Sequence, residues 1–124
     1  MTLSKGRKET LSKLKRLEQT AAVERLNDAA KALEIEKNTL AGIERDLAKE
    51  REVDAIPRRG SVFRADALES GSLDHRRHKE RLRKLEASVA AATERVREAQ
   101  DRLEAAQDAT ARATRALDLL GRDR

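Results

Sequence analysis

Cysteine is absent from this 124-residue chain, and the chain has one proline, Pro57, and one aromatic residue, Phe63. Without cysteine it forms no disulfide and offers no thiolate for redox or nucleophilic chemistry. A globular core of this size normally contains several aromatic side chains, because these bury the most area per residue. No apolar run approaches the ~20 residues that span a bilayer, so we expect no direct membrane insertion.

The composition that remains is typical of long helices. Charged residues make up 41% of the chain, and hydrophobic residues, which are mostly Ala and Leu, make up 38%. Coiled coils have this composition. A disordered chain can be as highly charged, but it does not keep regularly spaced leucines along most of its length.

The second half of the chain carries a continuous heptad pattern from Leu82 to Leu120. Alternating steps of three and four residues meet an apolar side chain everywhere except at Thr110. This period predicts a left-handed coiled coil. Its positions, named here the C-terminal seam, are Leu82, Leu85, Val89, Ala92, Val96, Ala99, Leu103, Ala106, Thr110, Ala113, Leu117 and Leu120. Gly121 follows directly, where a left-handed residue would end the helix.

The first half of the chain is also helical in pattern, with a looser register. Its leucines repeat every seven residues at Leu26, Leu33, Leu40 and Leu47. Earlier leucines are three residues apart, at Leu11, Leu14 and Leu17, so the predicted stripe drifts around the helix. Either Glu36 or Lys37 occupies the stripe, depending on its phase.

Pro57, Gly60 and Gly71 interrupt the helical pattern near the middle of the chain. We therefore predict a first helix over about 8–55, a turn and a short helix over 56–71, and a second helix over about 72–120. The short helix falls near 62–69. Because the two long helices have similar lengths, we expect one all-α domain over 1–124, a long two-helix antiparallel coiled-coil hairpin.

Alanine occupies four successive d positions of the C-terminal seam, from Ala92 to Ala113. A buried Ala contributes much less than the roughly 1.5–3 kcal/mol of a buried Leu or Val. The hairpin is then marginally stable alone, and a second copy or a partner protein shares its surface. A self-sufficient hairpin is the alternative.

Basic residues are concentrated in two segments. Residues 1–25 carry seven basic and three acidic side chains, and residues 58–84 carry nine and four, while 26–57 and 85–124 are net acidic. Both ends of the hairpin therefore suit acidic partner surfaces. Nucleic acid is the competing partner, but it is disfavoured because aromatic side chains for stacking are missing and acidic residues are interleaved.

Candidate contact residues lie at both ends of the predicted hairpin. Apolar and basic candidates at the turn end are Phe63, Leu68, His75, Arg76, Arg77 and His78, and those at the open end are Leu117, Leu119 and Leu120. The two histidines are three apart, but their cationic neighbours disfavour a metal ion. Both fall on the a and d positions extrapolated back from Leu82, so we expect them to be packing or partner contacts. We identify no catalytic constellation, cofactor site or metal site, and we expect no enzyme activity.

Three parts of the chain resemble the FliJ/YscO family of type III export stalk proteins. They are the segment from Leu11 to Gln19, the restart of the helical pattern between Gly71 and Leu85, and the end from Arg115 to Leu120. The resemblance is one of pattern and covers nearly the whole chain. It implies a cytoplasmic stalk or adaptor of a flagellar or type III export apparatus, held peripherally at the inner membrane through partners. These partners would be a hexameric export ATPase, an export-gate cytoplasmic domain and chaperones.

In such a stalk the paired termini would enter the ATPase, and the turn region from Phe63 to His78 would face the gate. Two other hypotheses remain open. One is a coiled-coil scaffold that dimerises into a four-helix bundle through its alanine stripe, and the other is a basic nucleic-acid-binding helical protein.

Overall fold

The computed structural model describes the backbone of residues 5–55 and 65–122 and the side chains of residues 5–53 and 73–122. Helix α1 spans Lys5–Ala55 and helix α2 spans Ala65–Arg122. The two helices pack against each other, which confirms the predicted all-α two-helix hairpin. Within these described ranges, neither helix has a segment long and apolar enough to cross a membrane.

Helix α2 begins earlier than the sequence predicted. It starts at Ala65 and continues through Gly71, so the separate short helix and the restart at 72 are wrong. A single glycine inside a helix costs about 1 kcal/mol relative to alanine. That cost is too small to break the helix at Gly71, because the preceding residues Ala67, Leu68 and Glu69 are good helix formers.

The C-terminal end of α2 also differs from the prediction. Gly121 lies inside α2, which ends at Arg122, and it does not adopt the left-handed conformation expected of a helix-terminating residue. A Cβ atom placed on Gly121 would meet nothing within 4 Å. Glycine permits a left-handed helix end but does not impose one.

The C-terminal seam is confirmed in α2. Every seam residue from Leu82 to Leu120 is buried or half-buried, while most of the residues between them are exposed. The alanine positions are the most closely covered, with Ala92 0% and Ala99 4% exposed.

The inward-facing positions of α1 keep their regular spacing in the N-terminal part of the helix, although the leucines there no longer occupy them. Toward the N-terminal end, the less exposed positions continue in steps of three and four through Gln19, Lys15 and Ser12. Leu14 and Leu17 instead point outward and are 52% and 66% exposed. The helix therefore does not rotate to follow its leucines, because the packing of the two helices sets which positions face inward.

By the density of its contacts, the chain divides into two compact units. The terminal unit comprises Met1–Ile35 and Arg97–Arg124, and the middle unit comprises Glu36–Val96. Among the described side chains, the buried apolar ones are Ala22, Leu33 and Ala99 in the terminal unit, and Leu47 and Ala92 in the middle unit. The core of each unit is therefore thin.

Two polar contacts define the pairing of the helices in the terminal unit. The Thr110 hydroxyl lies 3.3 Å from the Ala22 carbonyl oxygen, and the Gln19 side-chain amide donates to the Thr114 hydroxyl at 3.2 Å. Continued along the helices, this antiparallel register places Leu33 opposite Ala99. A large side chain on α1 thus faces a small one on α2, which lets the two helices approach closely.

Candidate functional site

A groove of about 780 Å³ lies between α1 and α2 in the terminal unit. Helix α1 lines it with four basic side chains, Lys5, Lys8, Lys13 and Arg16, and helix α2 lines it with Leu117 and Leu120. Both leucines are half-buried. The groove thus combines an apolar floor with a basic wall.

In this part of the hairpin the half-buried positions of α1 are mostly polar, with Leu11 the exception. The C-terminal seam remains apolar at Leu117 and Leu120, whereas the seam of α1 holds Ser12, Lys15 and Gln19. Polar side chains do not cover a leucine well, because burying them without hydrogen-bond partners costs free energy. Leu117 and Leu120 are half-buried, as are the other leucines of the C-terminal seam, and in the groove their uncovered area lies beside a basic wall.

The balance of charge around the groove is positive. Its four basic lining residues are accompanied by two acidic ones, Glu9 and Asp118. Among the described residues, Lys5, Lys13 and Arg16 make no ion pair, while Lys15 bonds Glu18 at 3.2 Å one turn along the same helix. The groove therefore favours an anionic group over a cationic one.

A polar cluster occupies the seam of the middle unit. The Glu50 Oε1 atom accepts hydrogen bonds from Arg81 Nε at 2.7 Å and from His78 Nδ1 at 2.8 Å. A carboxylate only accepts, so the Nδ1 atom of His78 carries the proton in this contact. The bond from Arg81, followed by that from His78, holds the pKa of Glu50 below its ordinary value.

This cluster decides between the two roles expected of His78, packing and partner contact. His78 is 6% exposed and packs against α1, so its ring is not available as a partner contact. Its neighbours His75, Arg76 and Arg77 are exposed on α2. The two histidines therefore do not act together, because one faces inward and the other faces solvent.

The remaining predicted contact residues divide between the described part of the chain and the rest. Phe63 lies outside the described residues, as does the side chain of Leu68. Leu119 is 64% exposed and points away from the seam, while Leu117 and Leu120 line the groove. The three open-end leucines thus lie in one short segment but do not share one surface.

Three features of the candidate surfaces escaped the sequence analysis. The leucine spacing predicts that Leu14 and Leu17 belong to a drifting core stripe, but both are exposed. The seam position left open in the middle of α1 belongs to Glu36, whose Oε2 atom accepts a hydrogen bond from Arg95 Nε at 3.2 Å. Sequence spacing does not predict the bond from the exposed Arg81 to the half-buried Glu50, because arginine and glutamate are common on any helix surface.

The structure brings together no catalytic arrangement that we recognise among the described residues. Within the same ranges, no group of three or more His, Asp or Glu residues is placed to hold a metal ion. Comparison of the chain with protein-family models, with curated proteins and with solved structures finds no match.

Proposed function

We propose that this chain is a non-enzymatic coiled-coil stalk or adaptor that binds other proteins, and that it serves a bacterial flagellar or type III export apparatus. Its partners would be the hexameric export ATPase, the cytoplasmic domain of the export gate and chaperones. It would act in the cytoplasm, close to the inner membrane through these partners.

The observation that carries a protein-binding role is the distribution of large apolar side chains. Among the described side chains, Leu33 and Leu47 are the large ones that are buried. Those that are exposed are Leu14, Leu17, Val23, Ile35, Val53, Leu73 and Leu119. Most of these are scattered, but Leu14 and Leu17 lie three residues apart on one face of α1, and apolar residues that share a patch favour contact with another protein.

The finer assignment to an export stalk rests on the resemblance of pattern together with the paired termini. The hairpin brings the start of α1 and the end of α2 together, and between them lies a basic groove with a leucine floor. Such an end is suited to insertion into a partner, since electrostatic attraction guides the approach and apolar contact holds the complex.

A dimerising scaffold is the second candidate, and the exposed Leu14 and Leu17 favour it. Of the alanine stripe through which the sequence predicted dimerisation, Ala92 and Ala99 are already buried against α1, which disfavours that surface for a dimer. A dimer would have to use the outward leucines of α1. Light scattering at high concentration that finds only a monomer would exclude this candidate.

The export role is tested with the purified full chain and the export ATPase of its host. We expect the two to co-migrate in gel filtration and the chain to raise the rate of ATP hydrolysis. The matched control is a Leu33→Ala variant, which weakens the hairpin while leaving the charged surface unchanged. A chain that neither binds the ATPase nor alters its activity would contradict the proposal.

A further inference from the structure

We propose that the groove of the terminal unit binds an acidic amphipathic helix of a partner protein. The apolar face of that helix would contact Leu117 and Leu120, and its carboxylates would pair with Lys13 and Arg16. This inference deepens the proposed function, on which it rests, by stating the chemistry of the partner at this site.

The apolar face of the occupant follows from the uncovered area of the two groove leucines. Leu117 and Leu120 continue the heptad spacing of α2, and the half-buried positions of α1 beside them are mostly polar, among them Ser12 and Lys15. Each leucine is half-buried and keeps part of its apolar area in water, at about 25 cal/mol for each Å² that remains uncovered. A third apolar stripe laid along the groove would cover this area.

The acidic character of the occupant follows from the groove's charge. Lys13 and Arg16 are exposed, line the same wall three residues apart, and have no ion-pair partner among the described residues. Residues three apart lie on one face of a helix, so both can reach the same ligand. An apolar segment flanked by Asp or Glu would meet both requirements of the site.

A helical occupant fits the shape of the groove. The groove lies between two packed helices, and a third helix can pack its ridges into the surface that two neighbours form. Recognition of an amphipathic helix in an apolar groove uses contacts repeated at i, i+3 and i+4. The spacing of Leu117 and Leu120 matches one such step.

Other occupants suit the site less well. A nucleic acid would contact the basic wall but would leave the leucine floor uncovered, and no aromatic side chain lines the groove for base stacking. A second copy of this chain that met the groove with its own N-terminal segment would bring like charges together, because residues 1–25 carry seven basic and three acidic side chains. Like charges disfavour that contact.

The test uses the full chain and a fluorescein-labelled designed peptide of about 18 residues, which is five helical turns. The peptide carries leucines on one face and glutamates on the other. Fluorescence anisotropy at roughly physiological ionic strength, about 0.15 M, measures its Kd. Two comparison peptides replace the glutamates by lysines or the leucines by serines.

Two charge-reversed chains locate the binding site. In the first, Lys13→Glu and Arg16→Glu change the wall of the groove. In the matched control, Arg25→Glu and Lys31→Glu change exposed residues of the same helix and the same unit that do not line the groove. Because the two variants have the same net charge, a difference in their affinity for the peptide shows where on the chain the peptide binds. Circular dichroism verifies that both remain helical.

We expect the acidic amphipathic peptide to bind and both comparison peptides to bind at least about tenfold more weakly. The groove variant should weaken binding about tenfold, and the control variant by less than about twofold. Leu120→Ser should also weaken binding, whereas Leu119→Ser, which changes an exposed leucine outside the groove, should not.

Several outcomes would overturn the proposal. Equal losses in the two charge-reversed chains would mean that net charge alone attracts the peptide. If the peptide with serines in place of leucines binds as tightly as the acidic amphipathic peptide, the leucine floor does not contribute to binding. Duplex DNA that competes with the peptide as well as unlabelled peptide does would favour nucleic acid, and a dimer that Leu120→Ser dissociates would identify a second copy as the occupant.

The proposed groove site and the proposed export role can be contradicted independently of each other. If the chain binds the export ATPase but the groove variant binds it as tightly as the unmodified chain, the export role stands and the groove is not the contact. If the peptide binds as expected but the ATPase does not, the groove stands as an acidic-helix site and the export role fails.

Discussion

Glu50 of α1 and His78 of α2 are joined by a hydrogen bond of 2.8 Å between Oε1 and Nδ1. Their side chains are 18% and 7% exposed, so the bond lies largely inside the seam of the middle unit. A polar pair at a seam position favours one register over others, because any shift would leave a buried polar group without its partner. The pair therefore specifies alignment more than it adds stability.

The stability contributed by Glu50 should depend on pH. In the folded hairpin the bond from Arg81, and then that from His78, lower the pKa of Glu50 from its ordinary value of 4.5. The stabilisation is thus complete above the unfolded pKa and is lost as the pH falls through the lower, folded pKa. We expect Glu50→Gln to lower the melting temperature at about pH 7 and to have less effect at about pH 3.

Thermal unfolding followed by circular dichroism at both pH values measures this difference. Glu52→Gln is the control, because Glu52 is an exposed carboxylate of the same helix two residues away. A Glu50→Gln variant whose deficit is the same at both pH values would contradict the assigned role of the carboxylate.

Replacement of a buried leucine should be far more costly than replacement of an exposed isoleucine nearby. Leu33 is 5% exposed, and Ile35, two residues further along α1, is 64% exposed. We expect Leu33→Ala to reduce the free energy of unfolding by about 2–5 kcal/mol. Ile35→Ala should change it by less than about 0.5 kcal/mol. Urea denaturation of both variants measures these values, and similar losses would mean that the seam assignment is wrong.

The close approach of the helices at Ala92 should make enlargement of this residue destabilising. Ala92 is 0% exposed, while its neighbour Ala91 is exposed. Leucine at position 92 adds volume where none is free, so Ala92→Leu should cost about 1–3 kcal/mol. Ala91→Leu places the same side chain in solvent and should be nearly neutral. Should Ala92→Leu instead raise the stability in urea, the seam would have to contain unfilled space.

The ion pair between Glu36 and Arg95 should contribute little, because their side chains are 30% and 47% exposed and water screens the charges. A double-mutant cycle with Glu36→Gln and Arg95→Gln should give a coupling energy of about 0.2–1 kcal/mol. Because salt screens the two charges, the coupling energy measured at high salt should be smaller. Substitution of Lys37, which is exposed and off the seam, should show no coupling to Arg95.

Much of the fold followed from one local rule. The heptad spacing of α2 identified the inward-facing residues from Leu82 to Leu120, because a helix that packs along its length must repeat its apolar side chains at that period. The same rule was less informative in α1, where Leu14 and Leu17 satisfy a local apolar pattern but do not face α2. Local spacing shows which residues can share a face, but it does not show which face is covered.

The candidate groove was only partly predictable, for the same reason. The sequence pointed to Leu117, Leu119, Leu120 and a basic N-terminal segment, but it did not join them into a site. Joining them requires knowing that Leu117 and Leu120 meet polar residues of α1 and that Lys13 and Arg16 line the same space. These residues are about a hundred positions apart in the chain, and only the pairing of the helices brings them together.

The sequence by itself determined that this chain forms two long helices and which side of α2 faces inward, because helix propensity and heptad spacing act over a few residues. The tertiary structure decided that Glu36 rather than Lys37 lies in the seam and that His78 packs against Glu50. It also decided that Leu14 is left exposed. Each of these depends on the register between helices, which is set by the sum of many contacts across the seam and by no single segment.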